Sequence, residues 1–279
     1  MLIRQQFKEY NRRLQTIYSP QEAESLSFWL FEHFLNIRRV DVLQDKQVEP
    51  TPLLEKALVQ LEKGYPIQYI TGSAPFYGRE FQVNPSVLIP RNETEELVHL
   101  ILAENQSKGL HLLDIGTGSG CIPITLALEM DDPQITAVDV SQAALELAKQ
   151  NAAQHEKAAV NFIHCDVLQD ELPVRDLDII VSNPPYVRES EKAYMHTNVI
   201  DHEPHLALFV PEDDPLVFYK AIASKGRSAL KSGGKLYFEI NEALGAEVTA
   251  LLTSLGYTNI VLRRDLNDKD RMVRAVREE

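Results

Sequence analysis

The sequence predicts an α/β protein, in which a doubly wound sheet follows a small N-terminal helical domain. After residue 109, apolar strand-like segments alternate with helical segments, which is the order that a doubly wound sheet requires. The first part of the chain instead carries apolar residues at helical spacing, and a β-rich stretch around Gly78 joins the two parts. We therefore expect a helical domain over residues 1–75, a β-hairpin linker over 76–89 and a sheet domain over 90–279.

Start and stop signals mark two helices in the N-terminal part. Ser19, followed by a proline and by Glu22, forms a capping box at the start of one helix. Thr51, again followed by proline, opens a second helix that Gly64 is expected to end.

The linker and the next helix are predicted from a change in composition. Residues 69–72 and 81–83 are β-rich, so we expect extended or hairpin structure between residues 68 and 88. Asn92 is then expected to cap a helix that stops near Gly109.

The alternating part of the chain supplies the elements of the predicted sheet. We expect strands at 110–115, 135–140, 160–165, 177–182 and 235–240, an antiparallel pair at 260–264 and 271–276, and helices at 121–130, 141–155, 215–230 and 243–255.

Charge and composition exclude several classes of protein. The 28 basic and 41 acidic residues give 28 − 41 = −13, and residues 1–75, with nine of each, are neutral, so residues 76–279 carry the whole excess. An acidic surface repels phosphate backbones, so no direct nucleic-acid partner is expected. No apolar run reaches the length of a membrane helix, the N-terminus lacks a signal-peptide core, and only Cys121 and Cys165 are present. We therefore expect no membrane association and a reducing, cytoplasmic location.

A glycine-rich loop follows the first predicted strand of the sheet and opens a helix. Glycines at this place let the backbone approach a ligand closely and direct N–H groups towards it. The spacing is G-x-G-x-G, and Cys121 stands where a dinucleotide-binding loop would need its third glycine. With an acid two residues before the first glycine, the pattern resembles the S-adenosyl-L-methionine loop of class I methyltransferases. The expected cofactor-binding residues are Asp114, Gly116, Thr117, Gly118, Ser119 and Gly120.

Acidic residues end the next two predicted strands. Asp139 lies 23 residues after Gly116, where an acid can accept hydrogen bonds from both ribose hydroxyls of an adenosine, although it could also be a charge at a helix N-terminus. Asp166 and Val167 end the third strand, where this kind of fold usually contacts adenine, and Asp166 could equally be an ordinary loop acid. We expect all three residues to contribute to the cofactor site.

The tetrapeptide Asn183-Pro184-Pro185-Tyr186 ends the fourth strand and is the most specific motif in the chain. Two prolines fix the backbone and leave carbonyl acceptors, and the asparagine adds an amide oxygen. Two rigid acceptors suit a substrate that presents an NH₂ group, while Tyr186 offers an apolar face to a planar group. Asn183, Pro184 and Tyr186 are the expected catalytic residues, and all four are expected to bind substrate.

Several segments together resemble one known family. They comprise QYITG at 68–72, FYG at 76–78, LIPR at 88–91 with Thr94 and Glu95, the glycine loop, VSNPPYV at 181–187, EPHLALF at 203–209 and KDR at 269–271. This combination extends over most of the chain and resembles the peptide chain release factor glutamine N5-methyltransferases of the HemK/PrmC type.

The resemblance implies a fold, a reaction and a protein partner. It implies a Rossmann-like class I methyltransferase sheet and methylation of the N5 side-chain nitrogen of the glutamine in the GGQ motif of release factors. S-adenosyl-L-methionine would be the methyl donor and S-adenosyl-L-homocysteine the product, and the helical domain would recognise the protein substrate. The family's cofactor contacts correspond to residues 116–120, Asp139 and Val167, with Asn183 at the junction with the glutamine. This chain departs from the family at Asn92 and Glu93, where proline and aspartate are common, and at Val167, where tryptophan is common.

Two other functions and one possible metal site share some of these sequence features. An amino-methyltransferase of an RNA or DNA base would share residues 183–186 but should carry a basic groove. A noncatalytic nucleotide-binding protein would not need that tetrapeptide beside an intact glycine loop. His202 and His205 lie three residues apart across a proline, which is not the spacing of a helical metal motif, so no metal site is expected.

Overall fold

The structure is a computed structural model, and it describes residues 2–42, 47, 49, 51–155 and 158–278. The chain forms two compact units. The helical unit comprises Met1–Gly72 and His196–His202, and the sheet unit comprises Ser73–Met195 and Glu203–Glu279.

The secondary-structure elements follow one another in a regular order. The helices are α1 (Ile3–Leu14), α2 (Pro20–Leu35), α3 (Arg39–Val42), α4 (Pro52–Glu62), α5 (Ile67–Thr71), α6 (Asn92–Glu104), α7 (Cys121–Glu129), α8 (Gln142–Gln154), α9 (Thr197–His202), α10 (Val217–Ala229) and α11 (Gly245–Ser254). The strands are β1 (Ser73–Phe76), β2 (Arg79–Gln82), β3 (His111–Ile115), β4 (Gln134–Asp139), β5 (Val160–His164), β6 (Leu177–Ser182), β7 (Val187–Arg188), β8 (Phe209–Val210), β9 (Leu230–Glu239), β10 (Tyr257–Arg264) and β11 (Asp270–Arg277).

Ser19 and Thr51 are confirmed as N-caps, but the reciprocal bond of the predicted capping box, from the Ser19 N–H to the Glu22 side chain, is not among the hydrogen bonds of the described residues. The Ser19 hydroxyl accepts a hydrogen bond from the Glu22 N–H at 3.3 Å, and the Thr51 hydroxyl accepts one from the Leu54 N–H at 3.2 Å. Each bond satisfies an N–H group that the first helical turn leaves without a partner. Behind the caps, α1, α2 and α4 bury a shared apolar core that includes Leu14, Leu30, Phe31, Leu54 and Leu58.

The prediction of extended structure at residues 69–72 is wrong, because this segment forms the short helix α5. Ile67 and Tyr69 are buried, and Ile67 belongs to the core of the helical unit. Gly72 ends the helix with a positive φ of 72°, a conformation that glycine adopts without steric cost. Burial therefore outweighs the weak strand preference of these residues. The hairpin begins only after Gly72, as β1 and β2.

The predicted cap at Asn92 is also wrong by one residue. Arg91 is the N-cap in extended conformation, without a side-chain cap, and Asn92 is the first residue of α6. The acids of the first turn, Glu93 and Glu95, supply the negative charge that stabilises a helix N-terminus.

The predicted doubly wound α/β sheet is confirmed. Its seven strands run in the order β10-β11-β9-β6-β3-β4-β5, and the pairs β9/β6, β6/β3, β3/β4 and β4/β5 are parallel. The predicted antiparallel pair at the end of the chain is β10 with β11, and β11 continues antiparallel to β9. Because parallel strands end at the same edge, the segments that follow β3, β4, β5 and β6 lie together.

Each face of this sheet has its own core, as the alternation of side chains in a strand requires. On β6, Ile180 packs with Tyr219 and Ile222 of α10, whereas Ile179 packs in the opposite core with Leu97 of α6. Phe81 of the hairpin belongs to the same core as Leu97.

This packing places the hairpin in the sheet unit rather than in a separate linker. The units divide after Gly72, not at the predicted residue 75, and Phe76 and Phe81 are both almost fully buried in a core of the sheet unit. The predicted sheet domain also differs in one internal segment, since residues 196–202, which include α9, belong to the helical unit.

The described residues contain neither a candidate membrane-spanning helix nor a candidate metal-binding cluster. Among these residues, no helix combines the length and the apolar character that crossing a bilayer demands. Nor do they contain a group of three or more histidine, cysteine, aspartate or glutamate side chains placed to hold a metal ion.

Candidate active site at the carboxyl ends of the parallel strands

A cavity of about 380 Å³ opens in the sheet unit, where β3, β4, β5 and β6 end. Such a volume lies within the usual range for small-molecule sites. Most of the predicted site residues line it: Gly116, Thr117, Gly118, Ser119, Asp139, Asp166, Val167, Asn183, Pro184 and Pro185. Asp114, Gly120 and Tyr186 are the predicted site residues that do not line the cavity.

The glycine loop owes its path to backbone conformations that favour glycine. Gly116, Gly118 and Gly120 all have positive φ, at 77°, 54° and 80°. At Gly120 a side chain would also have no space, because a Cβ atom would lie 2.9 Å from Ile124 Cδ1 and 3.1 Å from Ala148 Cβ. Gly120 therefore lets the loop pack tightly on α7 and α8, a structural role behind the cavity wall.

Asp139 connects this loop to the end of β4. One carboxylate oxygen accepts a hydrogen bond from the Gly118 N–H at 2.9 Å, and the other accepts one from the Ser141 N–H at 2.8 Å. Burial raises the pKa of Asp139, and these two N–H groups act in the opposite direction. A carboxylate oxygen has two lone pairs, so each oxygen can still accept a hydroxyl from a ligand.

Asp114 lies deeper than the sequence indicated. Its side chain is 1% exposed, and neither of its oxygens has a hydrogen-bond partner among the described residues. Burial raises the pKa of Asp114 to about 7, the nearby Thr117 hydroxyl acts in the opposite direction, and the charge of Asp139 adds to the effect of burial. Thr117, whose buried hydroxyl also has no partner there, lines the cavity in its place.

The end of β5 forms a partly apolar wall. Val167 is buried in the core that faces α10, and the exposed Leu168 lines the cavity beside it. The Asp166 carboxylate accepts a hydrogen bond from the Leu168 N–H at 2.9 Å, and Lys225 donates to the Val167 carbonyl at 2.7 Å. These bonds fix the turn that presents Asp166 and Val167.

Three residues of the tetrapeptide line the cavity, and the fourth, Tyr186, does not. Asn183, Pro184 and Pro185 line the cavity, whereas the Tyr186 hydroxyl donates to Glu239 at 3.2 Å. Asn183 donates through Nδ2 to the Thr94 hydroxyl at 3.1 Å, and Thr94 in turn donates to Glu239 at 2.6 Å. Thr94 was noted in the sequence only as part of a shared segment, and Glu239, at the end of an apolar strand, carried no sequence signal.

The buried carboxylate of Glu203 connects two segments that line the cavity. Glu203 is 4% exposed and accepts hydrogen bonds from the Ile89 N–H at 3.2 Å and from Arg91 at 2.5 Å. Ile89 and Arg91 line the cavity on one side of this pair, and Pro204 and Leu206 line it on the other. Glu203 is therefore a structural link between these two segments.

The fold and part of the sequence are similar to those of methyltransferases. A family model described as methyltransferase small domain matches residues 94–206. A solved methyltransferase from Pyrococcus furiosus has the same fold, with a TM-score of 0.54 and 17% identity over 73% of this chain and 91% of its own. The chain therefore has the Rossmann-like fold of known methyltransferases.

Comparison over the full length defines the family. A model described as PrmC N-terminal domain matches residues 5–72. The release factor glutamine methyltransferase of Flavobacterium psychrophilum is 43% identical, over 99% of each chain. The one of Bacteroides thetaiotaomicron is 45% identical, over 95% of this chain and 96% of its own. The chain belongs to the release factor glutamine methyltransferase family.

Proposed function

We propose that this chain methylates the side-chain amide nitrogen of the glutamine in the GGQ motif of peptide chain release factors, with S-adenosyl-L-methionine as methyl donor and S-adenosyl-L-homocysteine as product. The observation that carries the proposal is that Asn183 and Pro184 line the same cavity as the glycine loop and Asp139. Membership of the release factor glutamine methyltransferase family supports the choice of substrate.

The residues present fit S-adenosyl-L-methionine. Asp139 offers carboxylate oxygens to ribose hydroxyls, and Val167 and Leu168 offer apolar surface to adenine. Thr117 presents a buried hydroxyl without a protein partner among the described residues, which a polar ligand group can satisfy. When bound, S-adenosyl-L-methionine supplies an electrophilic methyl group on a sulfonium.

The chain's own contribution to the reaction is orientation and hydrogen bonding. A glutamine amide nitrogen is a poor nucleophile because its lone pair is delocalised into the carbonyl group. In our proposal its two N–H groups donate to the Asn183 amide oxygen and to the Pro184 carbonyl, which directs the nitrogen towards the methyl group. The same acceptors stabilise the positive charge that develops on nitrogen, and no strong base is needed to remove the proton afterwards.

The test is methyl transfer from labelled S-adenosyl-L-methionine. We expect label on the motif glutamine of a purified release factor, located by mass spectrometry, and none on a release factor whose motif glutamine is replaced by glutamate. Total RNA and total DNA serve as rival substrates. Label in nucleic acid but not in the release factor would overturn the proposal in favour of a nucleobase methyltransferase.

Asp139→Ala is expected to weaken cofactor binding without unfolding the protein. The variant loses the carboxylate proposed to bind the ribose, and a hydrogen bond to a charged group contributes ~1.5–3 kcal/mol, roughly tenfold to more than a hundredfold in Kd. Calorimetric titration with S-adenosyl-L-methionine measures the change. Asp131→Ala removes an exposed aspartate from the loop before β4 and should bind normally. Equal affinities for Asp139→Ala and wild type would remove Asp139 from the cofactor site.

We further propose that the helical unit recognises the release factor. Two pairs of adjacent arginines in this unit, Arg12-Arg13 and Arg38-Arg39, are candidates for meeting acidic patches on a release factor, and their contacts within the unit differ. Arg13 forms ion pairs with Glu55 and Glu62 at 2.7 Å, and Arg39 stacks over the Phe28 ring at 4.6 Å, so both act within the unit. Arg12 is exposed and, with Lys8, lines a surface recess of α1 and α2.

Arg12→Glu is therefore expected to raise KM for the release factor several-fold and to leave kcat unchanged. A recognition contact binds ground and transition states alike, so its loss affects KM. Lys56→Glu makes the same charge change at an exposed site outside the recess and is the matched control. If both variants keep the wild-type KM, Arg12 takes no part in recognition.

A further inference from the structure

A chain of hydrogen bonds runs from Asn183 to a buried carboxylate. Asn183 Nδ2 lies 3.1 Å from Thr94 Oγ1, which lies 2.6 Å from Oε2 of Glu239. Thr94 is 3% exposed and Glu239 only 1%, so water has little access to these bonds. Three elements meet here: the segment after β6, the first turn of α6 and the carboxyl end of β9.

Each carboxyl oxygen of Glu239 accepts a hydrogen bond from a hydroxyl group. Thr94 donates to one oxygen and Tyr186 to the other, the latter at 3.2 Å. Burial raises the pKa of Glu239 above its usual value, and the hydrogen bond from Thr94, the charge of Arg271 and the hydrogen bond from Tyr186 offset only part of this shift. A carboxylate with a hydroxyl donor on each oxygen is a pure acceptor.

Because Glu239 is an acceptor, the donor and the acceptor of each hydrogen bond between Asn183, Thr94 and Glu239 are determined. The Thr94 hydroxyl has a single hydrogen, which it donates to Glu239, so its oxygen can only accept from Asn183. The Asn183 atom that faces Thr94 must then be its NH₂ group. The amide oxygen lies on the other branch of the same planar group and remains available as an acceptor.

We propose that Thr94 and Glu239 are positioning residues, which fix the amide of Asn183 so that its oxygen, and not its NH₂ group, is presented to the N–H groups of the substrate amide. This proposal rests on the proposed function, since it assumes a substrate that donates from nitrogen. Glu239 does not line the cavity, and Thr94, which does, acts on the substrate only through Asn183 in this proposal. Without their hydrogen bonds the Asn183 amide can turn over and present two donors to a substrate that also donates, and that population of the enzyme is inactive.

Thr94→Val removes the hydroxyl at nearly constant volume and tests the proposal. We expect kcat for release factor methylation to fall about twofold, because without the hydroxyl the two amide orientations become about equally populated and only one of them is active. The Kd for S-adenosyl-L-methionine should stay at its wild-type value. Thr94→Ser keeps the hydroxyl and should restore kcat.

A matched control and a double variant separate positioning from general damage. Thr125→Val makes the same change at a buried threonine of α7 whose hydroxyl has no partner among the described residues, and it should keep wild-type kcat. In an Asn183→Ala background, Thr94→Val should have no further effect, because Thr94 acts only through Asn183. An equal loss in both backgrounds would overturn the proposal, as would a wild-type kcat for Thr94→Val or a failure of Thr94→Ser to restore it.

A second readout does not depend on any methyl acceptor. In NMR spectra of the full chain, the side-chain NH₂ protons of Asn183 should exchange slowly with solvent in the wild type and in Thr94→Ser, and faster in Thr94→Val. Equal exchange rates in all three proteins would contradict the proposed hydrogen bond from Asn183 to Thr94. If the wild type shows this protection but fails to methylate release factors, the proposed function fails while the orientation of Asn183 stands.

Discussion

Asn183→Ala is expected to lower kcat by about 10²–10³, the effect of losing one preorganised group that stabilises charge in a transition state. The alanine has no acceptor for the N–H group of the glutamine, on which positive charge develops as the methyl group is transferred. The measurement is the single-turnover rate at saturating S-adenosyl-L-methionine and release factor, so that binding does not limit the rate.

The control for this variant is Asn161→Ala, which removes an exposed asparagine from β5 and should keep the wild-type rate. Circular dichroism and thermal unfolding establish that both variants are folded. A near-normal single-turnover rate for Asn183→Ala would exclude the acceptor role and with it the proposed orientation of the substrate amide.

The contribution of Asp114 to the stability of the cofactor-free protein is expected to fall as the pH rises from about 4 to about 7. Its ordinary pKa of 3.8 describes the unfolded chain, and burial raises the value to about 7 in the folded protein. Between these values the folded state binds the proton that the unfolded state has released, so raising the pH favours unfolding. The difference between the two pKa values corresponds to roughly 4 kcal/mol in total, of which about 3 kcal/mol is lost between pH 5 and pH 8.

Asp114→Asn isolates this contribution from those of other titrating groups. Asparagine has nearly the same shape but no ionisable group, so this variant should lose less stability between the two pH values than the wild type. Urea unfolding without S-adenosyl-L-methionine gives the free energy of unfolding of the wild type and of Asp114→Asn, each at pH 5 and at pH 8. Parallel losses in wild type and variant would show that Asp114 does not titrate in this range.

The sequence determined the architecture and most of the candidate site residues, because the signals involved are local. Alternating apolar segments predicted the sheet, and the glycine loop, Asp139 and the tetrapeptide each follow a strand. Parallel strands bring such residues to one edge of a sheet, so separate local patterns were enough to predict that most of the candidate site residues line one cavity.

Only the tertiary structure decided which side chains in this region contact one another. Asn183 and Thr94 are 89 positions apart, and Thr94 and Glu239 are 145 positions apart, so no local pattern can pair them. Packing also turned residues 67–71 into a helix against their strand preference, directed the Tyr186 hydroxyl to Glu239, and left Asp114 beneath the cavity instead of in its wall. Local sequence fixes backbone conformation and periodicity, whereas burial and hydrogen-bond partners depend on segments that meet only when the chain has folded.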